Sequence, residues 1–250
     1  MTWLLMKPLP LLLFLTASIR VAFGAAFVVP DLVQNPNQMI APFLSWSTDA
    51  PSLRYQQVYQ ASGFFGLGTS PFLINELVFY PSGASPTPTA VLPDVRIDFS
   101  TTSKAADALS TVFADNVGAN DTVVYSGALN FFLSAPGVYR ILLQTPFLFD
   151  PSAGNLLMEV RNFQTVPPPP GGIRAYNEAE VTLGDGVSGA FAGDVNALRG
   201  SVGTGGLVTG LVGTLVPEPA TWALLLTAGV VYALTAHRRT HRARASRKQT

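Results

Sequence analysis

The chain has 250 residues, with 15 basic and 15 acidic side chains, two histidines and no cysteine. Six of the basic residues lie in the last 13 positions and 14 of the acidic residues lie between Asp31 and Asp194, so the central region is acidic and nucleic acid is disfavoured as a partner. Because cysteine is absent and both histidines lie in the C-terminal tail, the central region cannot supply a disulfide, a Ser-His-Asp triad or a His- or Cys-ligated metal site.

Residues 1–26 have the order of parts typical of a secretory signal peptide. Lys7 precedes an apolar run at 11–17, and small residues follow it. The run is much shorter than the about 20 residues that span a bilayer, so we expect cleavage and not an anchor. Small residues at the third-last and last positions before the cut permit cleavage after Gly24 or after Ala26, and we place the boundary after Ala26. The alternative is a buried first helix of a cytosolic protein.

The region 27–215 consists of short apolar runs separated by Pro, Gly, Asn and Asp, with no long helical period. The predicted strands are 53–61, 72–80, 95–100, 122–126, 128–133, 138–145, 156–163, 173–179, 187–192 and 206–213. Many short strands with dense turn signals predict an all-β domain, either a β-sandwich or a jelly roll. Helix-forming residues within 103–113 predict one or two helical turns there.

Paired carboxylates are the remaining route to catalysis, as in a glycoside hydrolase. The candidate acids are Asp94, Asp98, Glu159, Glu178 and Glu180. Asp94 and Asp98 flank Arg96 on one face of a predicted strand, so mutual ion pairing is the simpler interpretation. We therefore predict that the protein is not an enzyme and has no cofactor, with a carboxylate-dependent glycoside hydrolase as the alternative.

Residues 115–121 group acidic and amide side chains around a glycine. Asp115, Asn120 and Asp121 are weak candidates for Ca²⁺ ligands, because carboxylate and amide oxygens are what this ion binds. The spacing differs from that of an EF-hand, and such residues form Asx turns without metal. An Asx-type turn with no metal is the favoured interpretation.

Three aromatic residues, Trp46, Tyr55 and Tyr59, are candidates for stacking on sugar rings. Tyr55 and Tyr59 lie four positions apart, so they share one face of the predicted strand. The alternative is that these rings lie in the core or in cross-strand pairs, because aromatic residues dominate the interior of β-sandwiches.

The C-terminal segment has three parts, which begin with the motif Val216, Pro217, Glu218 and Pro219. The 17 residues 220–236 carry no charge, and as a helix they would extend about 25 Å, a minimal transmembrane span. Arg238, Arg239 and Arg242 belong to the basic tail 237–250. By the positive-inside rule this tail stays in the cytoplasm, and the central domain lies outside the inner membrane.

This order of motif, short helix and arginine-rich end resembles the PEP-CTERM sorting signal of exported Gram-negative bacterial proteins. The resemblance covers residues 216–250 and implies recognition by an exosortase, a membrane protease that would process the chain near Pro217-Glu218-Pro219. It also implies a link to exopolysaccharide and biofilm. The alternative is a plain single-span anchor whose prolines only interrupt the chain before the helix.

The central region is similar to a recurring domain of PEP-CTERM proteins at residues 54–59, 100–103, 113–118 and 150–157. This resemblance implies a β-sandwich of unassigned activity and carries over no catalytic residue. We therefore predict an exported, non-catalytic surface or extracellular-matrix protein. Its expected partners are an exosortase, the inner membrane and, as ligand, exopolysaccharide.

Overall fold

A computed structural model describes most of the central region and little of the two ends. The described residues are 24–30, 38–40, 52–64, 66, 70–80, 90–131, 137–165, 177–180, 183–216, 227, 229 and 232. Several predicted features lie outside them: residues 1–23, Trp46, the motif residues Pro217, Glu218 and Pro219, and the tail with Arg238, Arg239 and Arg242.

Strands make up nearly all of the regular structure in the described part, and all of their pairings are antiparallel. They are β1 (Gly24–Val29), β2 (Gln38–Ile40), β3 (Leu53–Tyr59), β4 (Phe72–Phe79), β5 (Ala90–Thr102), β6 (Thr122–Phe131), β7 (Tyr139–Phe149), β8 (Asn155–Asn162), β9 (Asn177–Glu180), β10 (Val187–Ala192), β11 (Ser201–Gly203), β12 (Gly206–Leu207) and β13 (Thr209–Leu215). Two short 3₁₀ helices cover Ala61–Gly63 and Phe113–Asn116. The prediction of an all-β fold is confirmed.

The strands form two large sheets and one small one. The four-stranded sheet has the order β1-β13-β4-β7, the six-stranded sheet has the order β11-β10-β3-β8-β5-β6, and β12, β9 and β2 form the third. Inward side chains of the two large sheets share one hydrophobic core, which is the arrangement of a sandwich. Its largest buried side chains include Tyr59, Phe72, Phe79, Phe99 and Phe149.

Alternation along the strands explains why these segments lie at the core. In β7, Tyr139, Ile141 and Leu143 are buried, whereas the residues between them are exposed. Successive side chains of a strand point to opposite faces, so β7 has one core face and one outer face. The central strand β3 is buried on both faces, because the segment after β5 covers its outer side.

The helical turns predicted within 103–113 are wrong. Residues 103–112 form turns and bends, and a 3₁₀ helix begins only at Phe113. Leu109 and Phe113 instead pack on the outer face of the six-stranded sheet in a second small core with Val58 and Leu157. Tertiary packing therefore decides the path of this segment, and intrinsic helix propensity does not.

The span predicted at 220–236 is described only at Thr227, Gly229 and Tyr232, which are helical and exposed. Within the described residues, no helix has both the length and the apolar character needed to cross a bilayer.

Candidate functional site

Five charged side chains, which we call the charge cluster, lie on the outer face of the six-stranded sheet. They are Arg54 on β3, Arg96 and Asp98 on β5, and Glu159 and Arg161 on β8. The register places Glu159 directly opposite Asp98, and Arg161 between Arg54 and Arg96. The neighbouring residues of these strands point into the core, so strand alternation alone puts all five side chains on one face.

Each carboxylate of the charge cluster is held by arginine. Glu159 accepts a hydrogen bond from Arg54 Nη2 at 3.0 Å and further ones from Arg161 Nε and Gln56 Nε2. Asp98 accepts from Arg96 Nε at 2.9 Å to both carboxylate oxygens, and from Arg96 Nη2 at 2.6 Å. Asp98 is only 3% exposed and Glu159 only 5%.

The electrostatics of Asp98 reflect this burial. Loss of water around the carboxylate raises the pKa of Asp98 above its ordinary value, the hydrogen bonds and charge of Arg96 oppose that change, and the charge of Glu159 adds to it. Burial likewise raises the pKa of Asp121, and the charges of Asp98 and Glu159 act in the same direction. The predicted pairing of Arg96 with Asp98 is present; the Asp98 side chain is buried, whereas that of Arg96 is 38% exposed.

Two loops close over Arg54 and Gln56. The Arg54 guanidinium lies 4.5 Å from the centroid of the Phe113 ring, and its Nη1 donates to Ala197 O at 2.8 Å. Gln56 Nε2 donates to Phe113 O at 3.1 Å, and Asn116 Nδ2 donates to Gln56 Oε1 at 2.9 Å. The charge cluster thus ties the loop before β6 and the loop after β10 to the sheet.

This geometry bears on the hydrolase alternative. A glycoside hydrolase needs two carboxylates that the sugar can reach, whereas Asp98 and Glu159 are covered and engaged by arginines. Asp94 lies four residues before Asp98 on β5, and it is exposed. The backbones of Glu178 and Glu180 lie on β9, and their side chains are outside the description. Asp98 and Glu159, the two acids that the fold brings together, form ion pairs with arginines of the same sheet.

Two of the candidate calcium ligands, Asn120 and Asp115, make hydrogen bonds within the protein. Asn120 Oδ1 accepts from Thr101 N–H at 2.7 Å and Asn120 Nδ2 donates to Thr101 Oγ1 at 3.0 Å. Asp115 Oδ2 accepts from Ser110 Oγ–H at 2.9 Å. In the part of the chain that is described, no three His, Cys, Asp or Glu side chains come together as a metal site.

The structure places Tyr55 and Tyr59 in the core, where they are 3% and 0% exposed. Tyr55 Oη–H donates to Gln57 Oε1 at 2.6 Å, and Tyr59 Oη–H donates to Thr209 Oγ1 at 2.8 Å. They share a face as predicted, but it is the inner face of a central strand. The interpretation that these two rings stack on sugar is therefore wrong, and the core alternative is right.

A surface cleft of about 750 Å³ lies beside the edge strand β1. Its lining consists of residues 26–30, Gln60, Ser62, Gly63 and residues 184–186. The carboxylate in this lining, Asp185, accepts the Val187 N–H through Oδ1 at 2.9 Å. The lining comes from three separate segments of the chain, so no alternation or spacing within one segment could have pointed to the cleft.

The two ends of the described domain lie side by side at one edge. Gly24, the first residue of β1, is opposite Thr214 of β13, and Ala25 is opposite Gly213. Strand β13 ends at Leu215, and the N–H of the next residue, Val216, donates to Pro71 O at 2.9 Å. The first residue of the predicted sorting motif is thus hydrogen-bonded to the residue that precedes β4. Sequence reasoning missed β1, because Gly24–Ala26 had been assigned to the signal segment.

Comparison with protein-family models finds no match to the chain, and a search among curated proteins finds none either.

Proposed function

We propose that the protein is an exported, non-catalytic surface or matrix protein, tethered at the outer face of the inner membrane and released through a PEP-CTERM-type sorting signal. The observation that carries the proposal is the pairing of Gly24 with Thr214. Directly opposed residues of an antiparallel pair are about 5 Å apart at Cα. The chain therefore enters and leaves the domain at one point of one edge.

This arrangement suits a chain with membrane-directed segments at both ends. Four residues, 216–219, separate β13 from the predicted span, and they reach at most about 14 Å when extended. The domain edge would accordingly lie close to the lipid surface. Basic residues stand beyond both apolar segments, Lys7 at one end and Arg238 at the other. Both ends then stay in the cytoplasm with the domain outside, in agreement with the positive-inside rule.

Processing is tested by replacing Pro217, Glu218 and Pro219 together with alanine in a host that has an exosortase. The apolar span is untouched, so insertion is retained, whereas release of the domain is lost because the motif is gone. The matched control replaces Pro168, Pro169 and Pro170 with alanine and is released like the wild type. Fractionation and intact mass give the readout. Equal mass and equal membrane-bound fraction for wild type and motif variant would make the segment a plain anchor.

Exopolysaccharide is the ligand class that we propose for the domain, with Trp46 as the remaining aromatic candidate. We expect the purified protein to bind the producer's exopolysaccharide without creating new reducing ends. We expect Trp46→Ala to weaken that binding several-fold, since it removes the large apolar ring surface on which a sugar ring would stack. Co-sedimentation and a reducing-sugar assay measure the two quantities. New reducing ends would establish the glycoside hydrolase instead.

A further inference from the structure

We infer that the mature protein begins at Ala25, by cleavage of the Gly24–Ala25 peptide bond, so that strand β1 remains in the exported domain. This inference rests on the proposed export. It revises the boundary after Ala26 that the small residues had suggested. In the reaction water adds across the amide, which leaves a carboxylate on Gly24 and a free amino group on Ala25.

The pairing of β1 distinguishes between the two possible cleavage sites, after Gly24 and after Ala26. Six cross-strand pairs join β1 to β13, from Gly24 opposite Thr214 to Val29 opposite Thr209. Cleavage after Gly24 removes one of these pairs, whereas cleavage after Ala26 removes three. The second cut would leave Val212, Gly213 and Thr214 without a partner on that side, directly before the sorting motif. Unpaired strand edges attract other chains.

Packing also favours cleavage after Gly24 over cleavage after Ala26. Ala25 packs against the main core, as does Phe27, whose ring meets that of Phe72 edge-on at a centroid distance of 5.1 Å. A chain that began at Phe27 would lose Ala25 and would place its new charged amino group on the residue that makes this contact. A chain that begins at Ala25 keeps this residue against the core and places the charge at the last pair of the ladder, Ala25 opposite Gly213, so that the contact of Phe27 with Phe72 is left unchanged.

The small side chains at the site have no structural explanation, which fits recognition by a peptidase. A Cβ atom on Gly24 would meet nothing within 4 Å, and Ala26 is exposed, so the fold would accept larger residues at both positions. Signal peptidases require small residues at the last and third-last positions before the cut. Ala22 and Gly24 satisfy this rule for cleavage after Gly24, and Gly24 and Ala26 satisfy it for cleavage after Ala26. Residue size therefore permits both, and pairing and packing choose the first.

The test is N-terminal sequencing of the full chain produced in a Gram-negative host with an intact secretion system. We expect the sequence to start at Ala25, and a start at Phe27 would overturn the inference. A matched pair of variants gives a second readout. Ala22→Phe disrupts the site after Gly24, so its mature chain should no longer start at Ala25, whereas Ala26→Phe disrupts only the other site and should start at Ala25 like the wild type.

An Ala22→Phe chain that still starts where the wild type does, or an Ala26→Phe chain that no longer starts at Ala25, would likewise reject cleavage after Gly24. A wild-type chain that still begins at Met1 and stays in the cytoplasm contradicts export itself, and the inference falls with it. Failure of the cleavage site and failure of the proposed function are thus told apart by the same sample.

Discussion

Glu159 connects three side chains on the outer face of the six-stranded sheet. It accepts hydrogen bonds from Arg54, Gln56 and Arg161, and Arg54 in turn holds the two covering loops through Phe113 and Ala197. Moving two charges out of water costs free energy, and only the contacts between the two charged groups offset this cost. Removing one partner therefore leaves a buried charge without compensation.

We expect Glu159→Gln to lower the free energy of unfolding by about 3 kcal/mol, because it leaves the buried Arg54 without its counter-charge. Thermal unfolding followed by circular dichroism measures the change. Glu76→Gln is the matched control, since Glu76 pairs with Arg140 at 2.9 Å and the Arg140 side chain is 46% exposed. The control should change stability by less than about 1 kcal/mol. Equal effects of the two substitutions would mean that the charge cluster does not hold the loops.

The sequence predicted the charge cluster only in part, for a geometric reason. Arg96 and Asp98 are two positions apart in one strand, so alternation reveals that they share a face, and their pairing was foreseen. Arg54 and Glu159 are 105 residues apart. Periodicity tells which side chains share a face of a strand, but it does not tell which strands are neighbours. Tyr55 and Tyr59 illustrate the same limit, since alternation placed them together without saying that their face was the inner one.

At the level of elements, the best predicted strands were those bounded by strong turn signals. The strand 187–192 has the observed limits, and 53–61 and 72–80 end within two residues of β3 and β4. Segments 122–126 and 128–133 are one strand, because Gly127 continues β6 with a φ of 138°. The predicted strand 173–179 is described as β9 from Asn177 only. The short strands β2 and β11 escaped prediction, since three residues carry no measurable alternation.

The loop between β5 and β6 depends on a close approach that glycine alone allows. Gly118 N–H donates to Ser100 Oγ at 3.1 Å, and a Cβ atom at this position would overlap the Thr101 carbonyl oxygen and lie 2.7 Å from the carbonyl carbon. Both atoms belong to the backbone of β5, where Thr101 pairs with Leu156 of β8, so moving them would disturb that ladder. The loop would have to lift from β5.

We expect Gly118→Ala to destabilise the fold by about 2 kcal/mol, a cost typical of overpacking, and to increase proteolysis within residues 103–121. Gly203→Ala is the matched control, because a Cβ atom on Gly203 of β11 meets nothing within 4 Å. Limited proteolysis and thermal unfolding of both variants give the result. If Gly118→Ala unfolds at the wild-type temperature and resists protease like the control, the loop is not seated as described.

At the scale of the whole molecule, the pairing of β1 with β13 places the end of the predicted signal segment beside the strand that directly precedes the predicted sorting segment. The sequence indicated both segments from their charge and apolar runs, because those are local properties. It could not indicate that β1 and β13 are neighbours, because pairing between strands that are far apart in sequence has no local signal. The described residues thereby add to the sequence the finding that the first and last strands of the domain are neighbours in one sheet.

The central claim is that the domain lies outside the inner membrane and the basic tail lies in the cytoplasm. The chain contains no cysteine, so a single introduced thiol reports its own location. Ser152→Cys marks the exposed turn after β7, and Ser246→Cys marks the basic tail. Both variants are made in a host without exosortase, so that the tail is retained, and intact spheroplasts are treated with a membrane-impermeant maleimide. The account predicts that Ser152→Cys is labelled at once and Ser246→Cys only after lysis; labelling of Ser246→Cys in intact spheroplasts, or protection of Ser152→Cys, would contradict it.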